Sequence, residues 1–163
     1  MNLNSTNRAT VRLRPVRYQF PSSAKPGAER DWDANWLVIE GQVRTHEGQE
    51  WSFSDRCLTT WEARSLSGWL RSVAAGTVEP TAWGSGDEPI LMFTEPNVAF
   101  TLAERDAQTV SLRIHLSLEA RPPWLTVDDV DIFEYFVVIT LPPGDVAAAA
   151  DEWDRQIAEF PER

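Results

Sequence analysis

Residues 108–120 read QTVSLRIHLSLEA. Val110, Leu112, Ile114, Leu116 and Leu118 alternate without a break, and Thr109, Ser111, Arg113 and His115 fill the places between them. Successive strand side chains point to opposite faces, so this pattern predicts a strand with one face in a core and the other in water. Such one-sided strands belong to antiparallel sheets. Just upstream, ILMFT at 90–94 and NVAFTLAE at 97–104 read as two more strands joined by short turns. Downstream, after a break at RPPWLTVDD, IFEYFVVITL at 132–141 is apolar on both faces. It reads as a central strand covered on both sides. Glu134 interrupts it and would be costly to bury unpaired, so an arginine partner is expected, with its role left open between structure and function.

The first half repeats the strand theme. TVRLRPVRYQF at 10–20 is strand-like, but Pro15 cannot donate to a ladder, which places it at a sheet edge. From Trp36 onward Leu37, Ile39 and Val43 share one face, with Val38, Glu40, Gln42 and Arg44 on the other. His46–Gln49 supplies a turn, and WSFSD at 51–55 returns as a second arm. PSSAKPGAERD at 21–31 is a loop by composition.

Two segments switch to helical spacing. Thr59 and Glu62 stand at capping-box distance, Leu66, Trp69, Leu70 and Val73 follow on one stripe, and Gly76 is the expected stop. After Pro142-Pro143-Gly144, Asp145 is the expected cap of a helix whose stripe is Val146, Ala150, Trp153, Ile157 and Phe160. The polar residues 1–9 read as a frayed tail, and 10–163 as a single domain. The prediction is an α+β fold: an antiparallel sheet of about six to seven strands packed with two main helices.

Composition narrows the function. A formal net charge of −10 repels phosphate backbones, which argues against free nucleic acid as a partner. The same charge suits either simple solubility or a face that steers a basic protein into contact. One cysteine, Cys57, rules out an internal disulfide and fits a reducing compartment; a small buried thiol is the plain reading of it. The N-terminus lacks a signal-peptide core, and the longest apolar run, FVVITL, is too short to span a bilayer. A cytoplasmic location away from membranes is expected.

In DWDANWLVIEG at 31–41, Asp31, Asp33 and Asn35 match the first calcium ligands of an EF-hand loop, but Trp36 and Gln42 stand where that loop needs Gly and Glu. His46, His115 and Cys57 are too few for zinc, and both histidines read as surface residues. Gly84-Ser85-Gly86 has no lysine and no following helix, so it is not a phosphate loop. No metal, no cofactor and no catalytic residue is predicted. Carboxylates crowd Asp128, Asp129, Asp131 and Glu134, and a carboxylate-dependent enzyme stays open as one alternative. Trp32, Trp36, Trp83 and Trp124 lie in or beside loops and would suit a sugar or small-molecule platform, a second alternative. Trp69 and Trp153 belong to helix stripes and the core.

Several segments resemble those of the WapI-type immunity proteins of bacteria. They are NWL at 35–37, Trp51, CLTTWEARSLSGWL at 57–70, FTEPNVAF at 93–100 and LEARPPWL at 118–125. The likeness spans residues 31–125 and weakens toward both ends. It carries no catalytic signature. The resemblance implies a non-enzymatic cytoplasmic protein that binds and neutralises the nuclease domain of a contact-delivered toxin. An acidic face meeting a basic toxin domain is the expected mechanism, with Asp31, Asp33, Trp36, Glu62, Glu95 and Glu119 as its candidate residues.

Overall fold

The structure, a computed structural model, describes residues 1–21, 31–84, 90–126 and 130–163. Most of the 21–31 loop, Ser85 and Gly86, and the acids Asp128 and Asp129 lie outside the described residues. Seven strands and two helices form an α+β fold. The strands are divided between two antiparallel sheets rather than joined in one. The first takes β1 (Asn2–Asn4), β2 (Thr10–Tyr18), β3 (Trp36–Arg44) and β4 (Glu50–Thr59) in chain order. The second takes β5 (Val98–Arg105), β6 (Val110–Leu116) and β7 (Phe136–Leu141), also in order.

The alternation read from the sequence sets what each strand buries. Val11 and Leu13 of β2, Leu37, Ile39 and Val43 of β3, and Leu112 and Ile114 of β6 all enter one core shared by both sheets. Gly41 leaves room in that layer: a Cβ there would sit 2.0 Å from the Phe53 ring on the neighbouring strand. Pro15 lies at a β-bulge, beyond the stretch of β2 that β1 pairs with, so its missing N–H costs no ladder bond.

Helix α1 (Thr60–Ala74) begins at the predicted capping box and ends as Gly76 enters positive φ. Helix α2 (Pro143–Ile157) is capped differently from expectation. Pro142 is its N-cap without a side-chain bond, and Asp145 sits inside the first turn, where a carboxylate favours the helix dipole. The two helices lock together through Trp153, whose indole N–H donates to the Ala63 carbonyl at 2.7 Å. At their exposed margin Arg71 reaches both Asp151 (2.7 Å) and Asp154 (2.6 Å).

Five further expectations are corrected. Residues 1–9 are not a frayed tail: β1 pairs with β2, and Met1 and Leu3 are fully buried. The Met1 ammonium donates to Leu13 O and to Gln156 Oε1, both at 2.7 Å, and burial lowers its pKa to about 6 despite the Glu152 carboxylate. Polar composition concealed this because only alternate residues of so short a strand need be apolar. ILMFT forms no strand beyond a single bridge between Leu91 and Phe100. The strand β7 is an edge, not the centre, and Val138 on its second face is exposed. Glu134 falls in an exposed turn before it, accepting from the Asp131 N–H at 3.2 Å, so no buried arginine partner is required. The second face of β6 is not simply wet. His115 is fully buried there, 4.9 Å from the Trp83 ring and 5.3 Å from Phe136.

Candidate functional site

The hairpin of β3 and β4 ends where Trp36 pairs with Thr59, and α1 starts at the next residue. Chain connectivity therefore puts the 31–36 loop beside the first turn of α1. Asn35 fixes it there. Its buried amide nitrogen donates to Asp31 O (2.8 Å) and Arg163 O (2.7 Å), while Oδ1 accepts from Thr60 Oγ1 and the Arg163 N–H, each at 2.9 Å. Around it, Trp32 meets Trp61 edge-on with ring centroids 4.6 Å apart.

Glu62 serves two segments at once. Oε2 accepts from the Thr59 N–H at 2.8 Å, completing the capping box, and Oε1 accepts from both the N–H (2.7 Å) and Oγ1 (2.8 Å) of Thr94. The next residue, Glu95, pairs with Arg56 at 3.3 Å, and that guanidinium lies 6.0 Å over the Trp36 ring. Asn97 donates to Glu119 at 2.8 Å, and its own carbonyl accepts from the Ser117 N–H. One residue beyond Glu119, the Ala120 carbonyl takes the Trp51 indole N–H at 2.9 Å.

All six sequence-predicted residues thus surround the start of α1, but they do not play equal parts. Asp33 and Glu119 are exposed, and Asp31 is half-buried with its carboxylate accepting from the Ala34 N–H. Glu62 and Glu95 are half-buried and engaged with their own chain. Trp36 is buried and meets the surface through Arg56. Sequence reading missed Asn35, Arg56, Thr94 and Asn97 as members of the site. The capping spacing revealed one oxygen of Glu62; the other bonds a residue far along the chain, which no local pattern reports.

Beneath this rim Cys57 is fully buried. Burial pushes its thiol well above the ordinary range, with Asp55, Glu119 and Glu95 adding to the effect. The folded state therefore holds the neutral thiol and its contribution to stability is intact below the unfolded-chain pKa of about 8.5. Above that pH the unfolded chain ionises and stability should fall, by up to about 1.4 kcal/mol per pH unit. Urea unfolding from pH 8 to 10 should show this slope, Cys57→Ala should flatten it, and native protein should resist thiol reagents.

Among the described residues no group of three or more His, Cys, Asp or Glu is placed to hold a metal ion. Of the four tryptophans considered for a ligand platform, Trp32, Trp83 and Trp124 are exposed and Trp36 is not. Each exposed ring already meets another: Trp124 stands edge-on to Trp51, and Trp83 to Phe136.

The segments that carry the family resemblance are the ones wired together at this site. A family model described as the immunity protein WapI-like family matches residues 2–161. The chain belongs to the WapI-like immunity family. Membership extends past the 31–125 span, taking in both β1 and α2. No curated protein and no solved structure matches the chain. In this WapI-like protein the Asn-Trp-Leu, Thr-Thr-Trp-Glu, Thr-Glu-Pro-Asn and Leu-Glu-Ala pieces join distant strands to one helix terminus. Among the described residues, no helix is long and apolar enough to cross a membrane.

Proposed function

We propose that this protein is an immunity protein that neutralises a contact-delivered toxin in the cytoplasm by binding its basic nuclease domain. Membership of the WapI-like immunity family across nearly the whole chain carries the reading. The net charge of −10 and the placement of Asp31, Asp33, Glu62, Glu95 and Glu119 around the start of α1 support it. Asp33 and Glu119 are exposed, with one oxygen of Glu119 held by Asn97, and Trp32, 54% exposed, supplies an aromatic anchor between Asp31 and Asp33. Glu62 and Glu95 shape the rim through Thr94 and Arg56, with Trp36 supporting Arg56 from below. Long-range attraction between this rim and a basic domain speeds encounter, and burial of the aromatic side chain slows release.

The test uses a basic toxin nuclease domain that the wild-type protein binds and neutralises. Asp31→Lys, Asp33→Lys and Glu119→Lys are combined, leaving Glu62 and Glu95 in place because their loss would loosen the fold. The triple variant should remain folded, lose growth protection, and bind at least about 100-fold more weakly at low salt. Its residual binding should lose most of its salt dependence. Unchanged protection with unchanged salt dependence would remove the acidic rim from the mechanism.

A further inference from the structure

Strand β7 offers an unpaired backbone edge. Its inner side bonds β6, with the Leu116 N–H donating to Tyr135 O at 3.0 Å. Its outer side is tied down at one residue. Thr140 O accepts from the Thr6 N–H, and the Thr140 N–H donates to Ser5 Oγ, both at 2.9 Å. Backbone groups on a strand repeat their direction every second residue, so the N–H and C=O of Val138 and Phe136 face the same outer side. Among the described residues neither has a hydrogen-bond partner on that side.

Among the described residues, the Phe136–Val138 part of the edge also lacks the usual protections. Native edges are blunted by lysine, proline, bulges or a covering loop. FVVITL has no charge and no proline, pairs with β6 without a register shift, and leaves Val138 36% exposed. Beside it lies a cavity of about 400 Å³ between β7 and the turn that joins β3 to β4. Tyr135, Phe136 and Val138 form its apolar wall, and Glu47 and Gln49 belong to the turn opposite. Burial raises the Tyr135 hydroxyl pKa and the Glu47 carboxylate, which lines the same cavity, adds to the effect.

We propose that this edge is a β-augmentation site that takes an extended segment of a cationic partner protein. The segment would bond to the outward groups of Phe136 and Val138, lay a β-branched side chain against Val138, and set a lysine or arginine on the opposite face toward Tyr135 and Glu47. A second copy of this chain suits the edge poorly, because two molecules of charge −10 repel one another. The inference goes beyond the toxin reading. The variant that tests that reading leaves Phe136, Val138 and Glu47 unchanged, so either proposal can fail alone.

Synthetic heptapeptides alternating Val or Thr with Lys are the probe, with matched peptides carrying Glu for Lys or N-methyl groups on alternate amides. Anisotropy should show binding of the Lys peptides, weakened about tenfold or more by either change. Hydrogen exchange at the Phe136 and Val138 amides should slow by a similar factor on binding. Val138→Pro, which removes one outward N–H, should weaken binding likewise, and Val138→Thr should preserve it. If Val138→Pro fails to fold, the N-methyl peptides on the native protein decide. Absence of protection at these amides with millimolar peptide would overturn the proposal, as would equal binding by the N-methyl peptides. A wild-type dimer in sedimentation that Val138→Pro dissolves would assign the edge to a second copy instead and overturn it too.

Discussion

Trp153→Ala should destabilise the protein by about 3–5 kcal/mol, the largest effect expected from any single truncation of a core side chain here. Trp153 is the largest fully buried side chain and lies where α2 meets α1. Truncation leaves a cavity that Val146, Ala149 and Leu66, all on rigid elements, cannot close without shifting a helix. It also strips the indole donor from the Ala63 carbonyl. Helix carbonyls inside α1 already accept along the helix, so the lost bond is the smaller part of the effect. Trp153→Phe separates the two: it keeps most of the ring, loses the donor, and should cost about 1–2 kcal/mol. Urea unfolding of the three proteins checks both numbers, and equal losses for Ala and Phe would place the indole hydrogen bond above the packing.

Asn35→Asp should cost about 2–4 kcal/mol although it changes no heavy-atom shape. The amide nitrogen donates to two backbone oxygens, Asp31 O and Arg163 O. A carboxylate oxygen in its place can donate to neither and would repel both, in a position with no access to water. The two bonds accepted by Oδ1, from Thr60 Oγ1 and the Arg163 N–H, would survive. Asn35→Leu removes all four and should be at least as damaging. Because Asn35 seats the 31–36 loop against α1, both variants should also increase hydrogen exchange at Ala34 and Trp36. Full stability in Asn35→Asp would mean that the loop is held by the Trp32–Trp61 contact instead.

Much of the fold was legible because it rests on local periodicity. The alternation from Val110 to Leu116, the second alternation from Leu37 to Val43, and the capping pair Thr59 and Glu62 each describe neighbours along the chain. The errors fall where neighbours are not local. FVVITL is apolar on both faces, as a central strand would be, yet it stands at an edge. ILMFT has strand composition but meets Phe100 through one bridge. His115 looks like a surface residue on a polar face until Trp83 and Phe136 are seen to cover it. Its Nε2 lies 3.1 Å from Thr101 Oγ1 and its Nδ1 2.6 Å from the Phe133 carbonyl, which is how a buried imidazole is satisfied.

The candidate site divides the same way. The acidic residues named from the sequence include Glu62 in the first turn of α1 and Asp31 and Asp33 in the loop beside it. What each carboxylate does there could not be read, because Thr94, Arg56 and Asn97 come from other elements. By itself the sequence determined most of the strands, the two helices, the capping box of α1, most of the buried faces and the charge, since these depend on side chains a few residues apart. Only the tertiary structure decided that the strands split into two sheets, that Met1 and Leu3 are buried, and that β7 stands at the end of its sheet. Those outcomes depend on which distant backbone groups find one another, and a hydrogen bond between segments far apart leaves no period in the chain.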